Sequence, residues 1–201
     1  MATFDPRDVI LETAKLMCAA ALTAPKTKGV NLLTVFYLLP EDFKPLYPAM
    51  QELSHKYDPL RPNHPFQRDL VTLKKADCLV VIGSRRKLMD IAGCDACGFR
   101  GEPNGCRAAA KVGAACAYNA KDLGIALSSA AIVAHQRFVD SRIIDSVGRA
   151  IINYKLYSEY SQGHIFDAAA IAISISGKNP FFDRLEEKVE AEARASKSGS
   201  A

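Results

Sequence analysis

Apolar residues recur along this chain in two patterns, one with a period near 3.6 residues and one of short unbroken runs, and their alternation predicts a mixed fold. Between residues 5 and 24, Val9, Ile10, Leu16, Met17 and Ala20 return at roughly helical spacing, which predicts an amphipathic helix. Asp5 is its expected N-cap and Pro6 its first helical residue, where a missing N–H is no loss; Pro25 ends it. Residues 32–39 form a β-branched and aromatic run closed by Pro40, the pattern of a buried strand. A helix is expected over 45–56 and another over 67–75. Between them Pro59, Pro62 and Pro65 remove backbone donors and enforce a loop. Residues 78–83 are a short apolar run ended by glycine, which suits an interior parallel strand. Two helices are expected over 118–136 and 141–160, the first apolar almost all round and therefore deeply buried or at an interface. A last strand is expected over 168–175.

Helices alternating with short strands predict an α/β or α+β architecture, a sheet flanked by helices. A chain of 201 residues can bury a core without disulfide staples. A single domain is expected over 1–184, followed by a charged and then Ser/Gly-rich tail over 185–201 that frays.

Composition narrows the function classes. With 49% hydrophobic and 24% charged residues the chain is neither disordered nor fibrous. The net charge of +4 is small, and basic residues are dispersed except at Arg85, Arg86 and Lys87, so no nucleic-acid partner is expected. The most apolar stretch, 114–134, is interrupted by Asn119, Lys121 and Asp122, which are costly at membrane depth, so no membrane span is expected. The N-terminal residues lack the basic start, apolar core and cleavage site of a secretory signal, and the expected location is cytoplasmic. The nearly all-apolar helix near 118–134 predicts a homodimer.

Six cysteines then carry the chemistry, because clustered thiols in a reducing compartment usually serve metal or redox work. Cys94 and Cys97 form a C-x-x-C pair, Cys106 follows, and Cys116 lies ten positions further, with Gly93, Gly98, Gly101 and Gly105 among them. Two thiolates on one tight turn can hold one metal or adjacent irons, and flexible glycines let backbone N–H groups turn towards sulfur. A short helix expected after Gly105 would present its positive end to a thiolate at Cys106, with Arg100 and Arg107 adding to the field. An unbroken helix from Cys106 to Cys116 would separate them by roughly 15 Å at about 1.5 Å per residue, too far for one centre. The chain is therefore expected to bend at Gly113; without that bend Cys78 is the alternative fourth ligand. Four thiolates suit an iron–sulfur cluster, and they also suit tetrahedral zinc, the alternative metal.

Other residues carry blander expectations. His55, His64, His135 and His164 share no ligand spacing. Asp140 or Ser141 is expected to cap a helix and Arg142 to pair with a carboxylate. No nucleophile triad or phosphate-binding glycine loop is visible.

Several separated stretches resemble one family: Thr23 to Gly29, Cys94 to Gly98, Asp122 to Leu127, Val139 to Arg142, and Ser176 to Arg184. The chain resembles the ferredoxin domain-containing prokaryotic proteins of unknown function, whose fold is related to the nitroreductases. The resemblance implies a nitroreductase-like sheet with a cysteine-rich ferredoxin-like insert at about 91–117. It also implies a [4Fe–4S] cluster on Cys94, Cys97, Cys106 and Cys116, although the stretch between Cys97 and Cys106 is longer than the family's usual spacing. Nitroreductase-like folds usually bind flavin mononucleotide (FMN) at a dimer interface, which makes Lys26, Lys28, Arg142 and Lys178 the expected flavin or phosphate contacts. The function implied is an iron–sulfur redox protein, a flavin-linked oxidoreductase supplied by an electron-donor protein. The alternative is a non-enzymatic zinc- or cluster-stabilised binding module or electron-transfer adaptor.

Overall fold

The first helix, α1 (Pro6–Thr23), begins where expected. The Asp5 carboxylate accepts the Arg7 N–H at 2.9 Å, and Pro6 occupies the first turn. Ile10, Ala14, Met17 and Ala21 form its buried stripe, spaced so that they share one helical face. The computed structural model describes residues 3–60, 64–160 and 165–182. The expected tail 185–201, His164 and the middle of the proline-rich loop lie outside the described residues.

Four strands build the framework: β1 (Leu33–Leu38), β2 (Cys78–Arg85), β3 (Asp140–Ile144) and β4 (Ile165–Ser174). They form one sheet in the order β1-β2-β4-β3, and every neighbouring pair is antiparallel. The parallel direction expected for residues 78–83 is thus corrected. An unbroken apolar run reports burial on both faces, and here both faces of an antiparallel sheet are covered.

That covering is visible residue by residue. Cys78, Val80 and Ile82 of β2 and Ala169, Ile171 and Ile173 of β4 face a core shared with α1 and with α5 (Ala117–Gln136). Leu79, Val81, Ala170 and Ala172 face the opposite core, built with α2 (Leu46–Tyr57), α3 (Pro65–Lys74) and α6 (Asp145–Tyr154). Successive side chains of a strand point to opposite faces, so two short strands feed both cores of a helix–sheet–helix sandwich. α5 lies along α1 and the sheet with Leu123, Ala126, Leu127, Ala130 and Ala134 buried, but Ile125 and Ile132 are 42% and 56% exposed.

One expected element divides in two. The helix expected over 141–160 is the edge strand β3 followed by α6, with Ile144 as the helix N-cap. Asp140 and Ser141 accordingly lie in a strand and cap nothing. Ile143, Ile144, Val147 and Ile151 fit a helical period equally well, and only pairing with β4 settles the first two as extended.

Candidate metal centre

β2 ends at Arg85, and the cysteine loop fills the interval up to the short helix α4 (Cys106–Lys111). The loop is closed at its neck by backbone hydrogen bonds. Gly93 N–H donates to Pro103 O at 2.9 Å and Gly105 N–H to Cys94 O at 3.1 Å, which sets the Cys94 backbone beside the residue preceding Cys106. A turn closed by Gly98 N–H on Asp95 O, at 2.8 Å, carries Cys97. Asn104 is buried and locks the neck twice. Its Nδ2 donates to Asp90 Oδ1 at 2.6 Å, and its Oδ1 accepts the Cys106 N–H at 2.9 Å. Gly105 has no room for a side chain, since a Cβ there would lie 1.8 Å from Phe99 O.

The bend expected at Gly113 is present. α4 stops after six residues, Gly113 takes φ +64°, its N–H donates to Ala110 O, and Ala114 N–H donates to Ala109 O. This pair of bonds is the Schellman arrangement, which satisfies the last carbonyls and turns the chain away from the helix axis. Cys116 then becomes the N-cap of α5, with φ −76° and ψ 127° and no side-chain hydrogen bond to the helix it begins.

The cysteines sort into two sets. Cys94, Cys97 and Cys106 are partly exposed, Cys116 is buried, and none is in a disulfide. Cys18, half-buried on α1, and the buried Cys78 pack into the α1 core instead: burial pushes the Cys18 thiol up to about 11 and the Cys78 thiol up to about 12, from a usual 9.0. Cys78 opens β2, whose far end leads to the loop, roughly 23 Å away at about 3.3 Å per residue. It packs in the α1 core, at the opposite end of β2 from the loop.

Donor chemistry and backbone path fit a thiolate-held metal centre: four thiols, none competing in a disulfide, lie on one closed loop and the helix that follows it. The side chains are not drawn together, for among the described residues no three His, Cys, Asp or Glu stand close enough to hold a metal ion. Metal binding commonly supplies the closing of such a site, because the ligands are rarely preformed without it.

A second cluster of contacts anchors the loop at the start of α5. The Asp122 carboxylate accepts the Thr27 N–H at 3.1 Å and the Thr27 hydroxyl at 2.8 Å. Lys28, at φ +56°, reaches the Met89 carbonyl at 3.2 Å. Lys87 N–H donates to Asn119 Oδ1 at 3.0 Å, and the Ser84 hydroxyl to Asn119 O at 3.4 Å. Asn119 is fully buried, and its Nδ2 is the only buried side-chain nitrogen or oxygen without a partner among the described residues. Leaving such a donor unpaired costs about 1–3 kcal/mol. From the sequence, Asn119 stands out only as an interruption of an apolar stretch, and Asp122 as that and as the start of a stretch that resembles the family. Their mutual spacing of three residues was the available sign that the two share one face of the helix.

The four expected phosphate contacts do not form one group. Lys26 Nζ caps the end of α1, donating to Ala24 O at 2.8 Å and to Leu22 O; burial holds its pKa down and Asp122 opposes that. Lys28 and the exposed Lys178 sit on separate loops. Arg142 pairs with a carboxylate, as one expectation had it: it donates to Thr72 Oγ1 at 3.1 Å and Phe181 O at 2.8 Å and pairs with Asp69 at 3.4 Å, on the α3 side of the sheet. Its guanidinium therefore anchors the edge strand β3 to α3. A cavity of about 880 Å³ on that side is lined by Phe66, Arg68, Asp69, Ser146 and Arg149 and contains no cysteine.

Comparison with known proteins places these features. Residues 112–184 match a family described as uncharacterized proteins containing a ferredoxin domain; the match includes Cys116 and not the loop before it. An uncharacterized protein of Archaeoglobus fulgidus is 30% identical over 180 residues, covering 87% of this chain and 91% of that one. A Bacteroides fragilis nitroreductase with bound FMN superimposes with TM-score 0.57 at 11% identity, covering 87% of this chain and 80% of its own. A Desulfitobacterium hafniense nitroreductase with bound FMN gives TM-score 0.57 at 11% identity, with 89% and 82% covered. A BluB-like flavoprotein of Clostridium difficile gives 0.52 at 16%, with 88% and 92% covered. The chain spans 61% of the length of the B. megaterium protein NfrA2, which it also resembles. With its cysteines, its sheet order and its close archaeal relative taken together, the chain belongs to the family of proteins containing a ferredoxin domain, built on a nitroreductase-like fold.

Proposed function

We propose that this protein is a redox protein that holds an iron–sulfur cluster of the [4Fe–4S] type on Cys94, Cys97, Cys106 and Cys116. The observation that carries this reading is the loop's backbone. The Gly105–Cys94 hydrogen bond closes its neck, and the Gly113 turn ends α4 shortly before Cys116 caps α5. Bound there, a cluster supplies one-electron transfer. The chain's own contribution is to present and orient four thiols. Cys116 at the N-terminus of a 20-residue helix meets the positive end of the helix dipole. The exposed Arg86 and Lys87 stand at the root of the loop, where an acidic electron-donor protein would be steered.

A flavin is the second group in this reading, supported by the likeness to the two nitroreductases that hold bound FMN. Lys26, Lys28 and Lys178 are the cations proposed to meet its phosphate. The chain is then one domain over 1–184 in a reducing, cytoplasmic setting. The unit is a homodimer whose contact includes Ile125 and Ile132 of α5 together with Phe138, which is 94% exposed. Light scattering on the purified protein is expected to give twice the mass of one chain; a monomer removes the dimer from this account.

Replacing each cysteine by serine in turn tests the ligand set. Iron per chain after anaerobic purification is expected to fall severalfold in the Cys94, Cys97, Cys106 and Cys116 variants and to stay at the wild-type level in Cys78→Ser. Zinc in place of iron throughout would turn the protein into a structural metal module.

A further inference from the structure

We propose that Asn119 donates a hydrogen bond from Nδ2 to the sulfur of Cys116 when that sulfur is a metal-bound thiolate, and that this contact raises the reduction potential of the centre. The inference rests on the cluster reading above and concerns a residue that the reading does not use.

Three observations lead to it. The amide of Asn119 is fully buried, yet Nδ2 has no partner. Its orientation is fixed, because Oδ1 accepts the Lys87 N–H at 3.0 Å; turning the amide over would set one donor against another. Finally, Asn119 is the third residue of the helix that Cys116 caps. From that position a side chain reaches back towards the N-cap, as the acidic or amide partner does in a capping box.

The Cys116 side chain takes no hydrogen bond from the helix. A metal-bound thiolate is anionic and accepts strongly from N–H groups. The choice of residue follows as well. An aspartate would accept the Lys87 N–H equally well, but it would present a negative oxygen to an anionic cluster. Asparagine supplies an acceptor on one side and a donor on the other. Donors to cluster sulfur stabilise the reduced, more negative state and raise the potential.

The test uses the full chain, reconstituted anaerobically with iron and sulfide, as wild type, Asn119→Asp and Asn119→Leu. Iron and sulfide per chain are measured, and the midpoint potential is followed by redox titration. Both variants are expected to titrate at lower potential than wild type, the aspartate variant lowest, and to lose iron to a chelator severalfold faster. A wild type that takes up cluster, with variants of unchanged potential, overturns this inference alone. A wild type that takes up no iron and sulfide overturns both it and the cluster reading. If neither variant folds, pulsed magnetic resonance on the reduced wild type, labelled only at asparagine side-chain nitrogen, reads the same contact. Coupling to the label supports it and absence of coupling overturns it, since the Asn104 amide nitrogen is committed to Asp90.

Discussion

At the scale of single residues, the six cysteines divide by environment more sharply than by sequence position. Cys18 and Cys78 are held as neutral thiols, at about 11 and about 12, because burial makes the thiolate costly. Iodoacetamide at neutral pH is therefore expected to modify Cys94, Cys97 and Cys106 in metal-free protein and to spare Cys18 and Cys78; mapping the modified peptides checks it. The same two groups fix a pH dependence. Their folded-state values lie above the usual 9.0, so the folded chain holds these protons more tightly than the unfolded one. Their stabilising contribution is complete below pH 9 and is lost as pH rises towards 11 and 12. Urea midpoints measured from pH 8 to 11 are expected to fall steadily above 9, and a flat profile would contradict the burial of these thiols. The four loop cysteines were legible in the sequence as a spacing. Asn119 was not, nor was the identity of the carboxylate that Arg142 pairs with, because a polar residue's significance depends on which neighbours lack or supply a partner, and those neighbours are remote in sequence.

Secondary elements show where local pattern suffices and where it fails. α1, α5 and the strands β1 and β2 were readable within a residue or two, since capping residues, prolines and unbroken apolar runs act locally. The bend at Gly113 was also readable, from the distance an unbroken helix would impose. β3 was not, because its apolar residues match both periods and its identity comes from pairing with β4. Strand direction escaped for the same reason. Two glycines separate the elements of the core from those of the loop. A Cβ on Gly148 would lie 1.7 Å from Ala168 O, where α6 rests on β4, and one on Gly105 would lie 1.8 Å from Phe99 O within the loop. Gly148→Ala is expected to cost about 3 kcal/mol by forcing helix from sheet, read as a lower urea midpoint. Gly105→Ala is expected to leave that midpoint near wild type while lowering iron content. Equal effects of the two on stability would mean that the loop is part of the folding core.

At the scale of the whole molecule, the segment after α1 and the root of the cysteine loop meet at one end of α5. Thr27 and Lys28 tie the segment after α1 to Asp122 and Met89, and Lys87 ties the loop root to Asn119. The cysteine loop is thereby docked against the segment proposed to meet a flavin. Arg142, Asp69 and the cavity beside them belong to the opposite face of the sheet. The central claim is that the loop holds an iron–sulfur cluster. The most direct test is an ultraviolet–visible spectrum of anaerobically purified protein, with iron, sulfide and zinc measured on the same sample. The account predicts a brown protein with broad absorption near ~400 nm from thiolate-bound iron, bleached by reductant, with iron and sulfide in equal amounts. A colourless protein carrying zinc, or no metal at all, would contradict it.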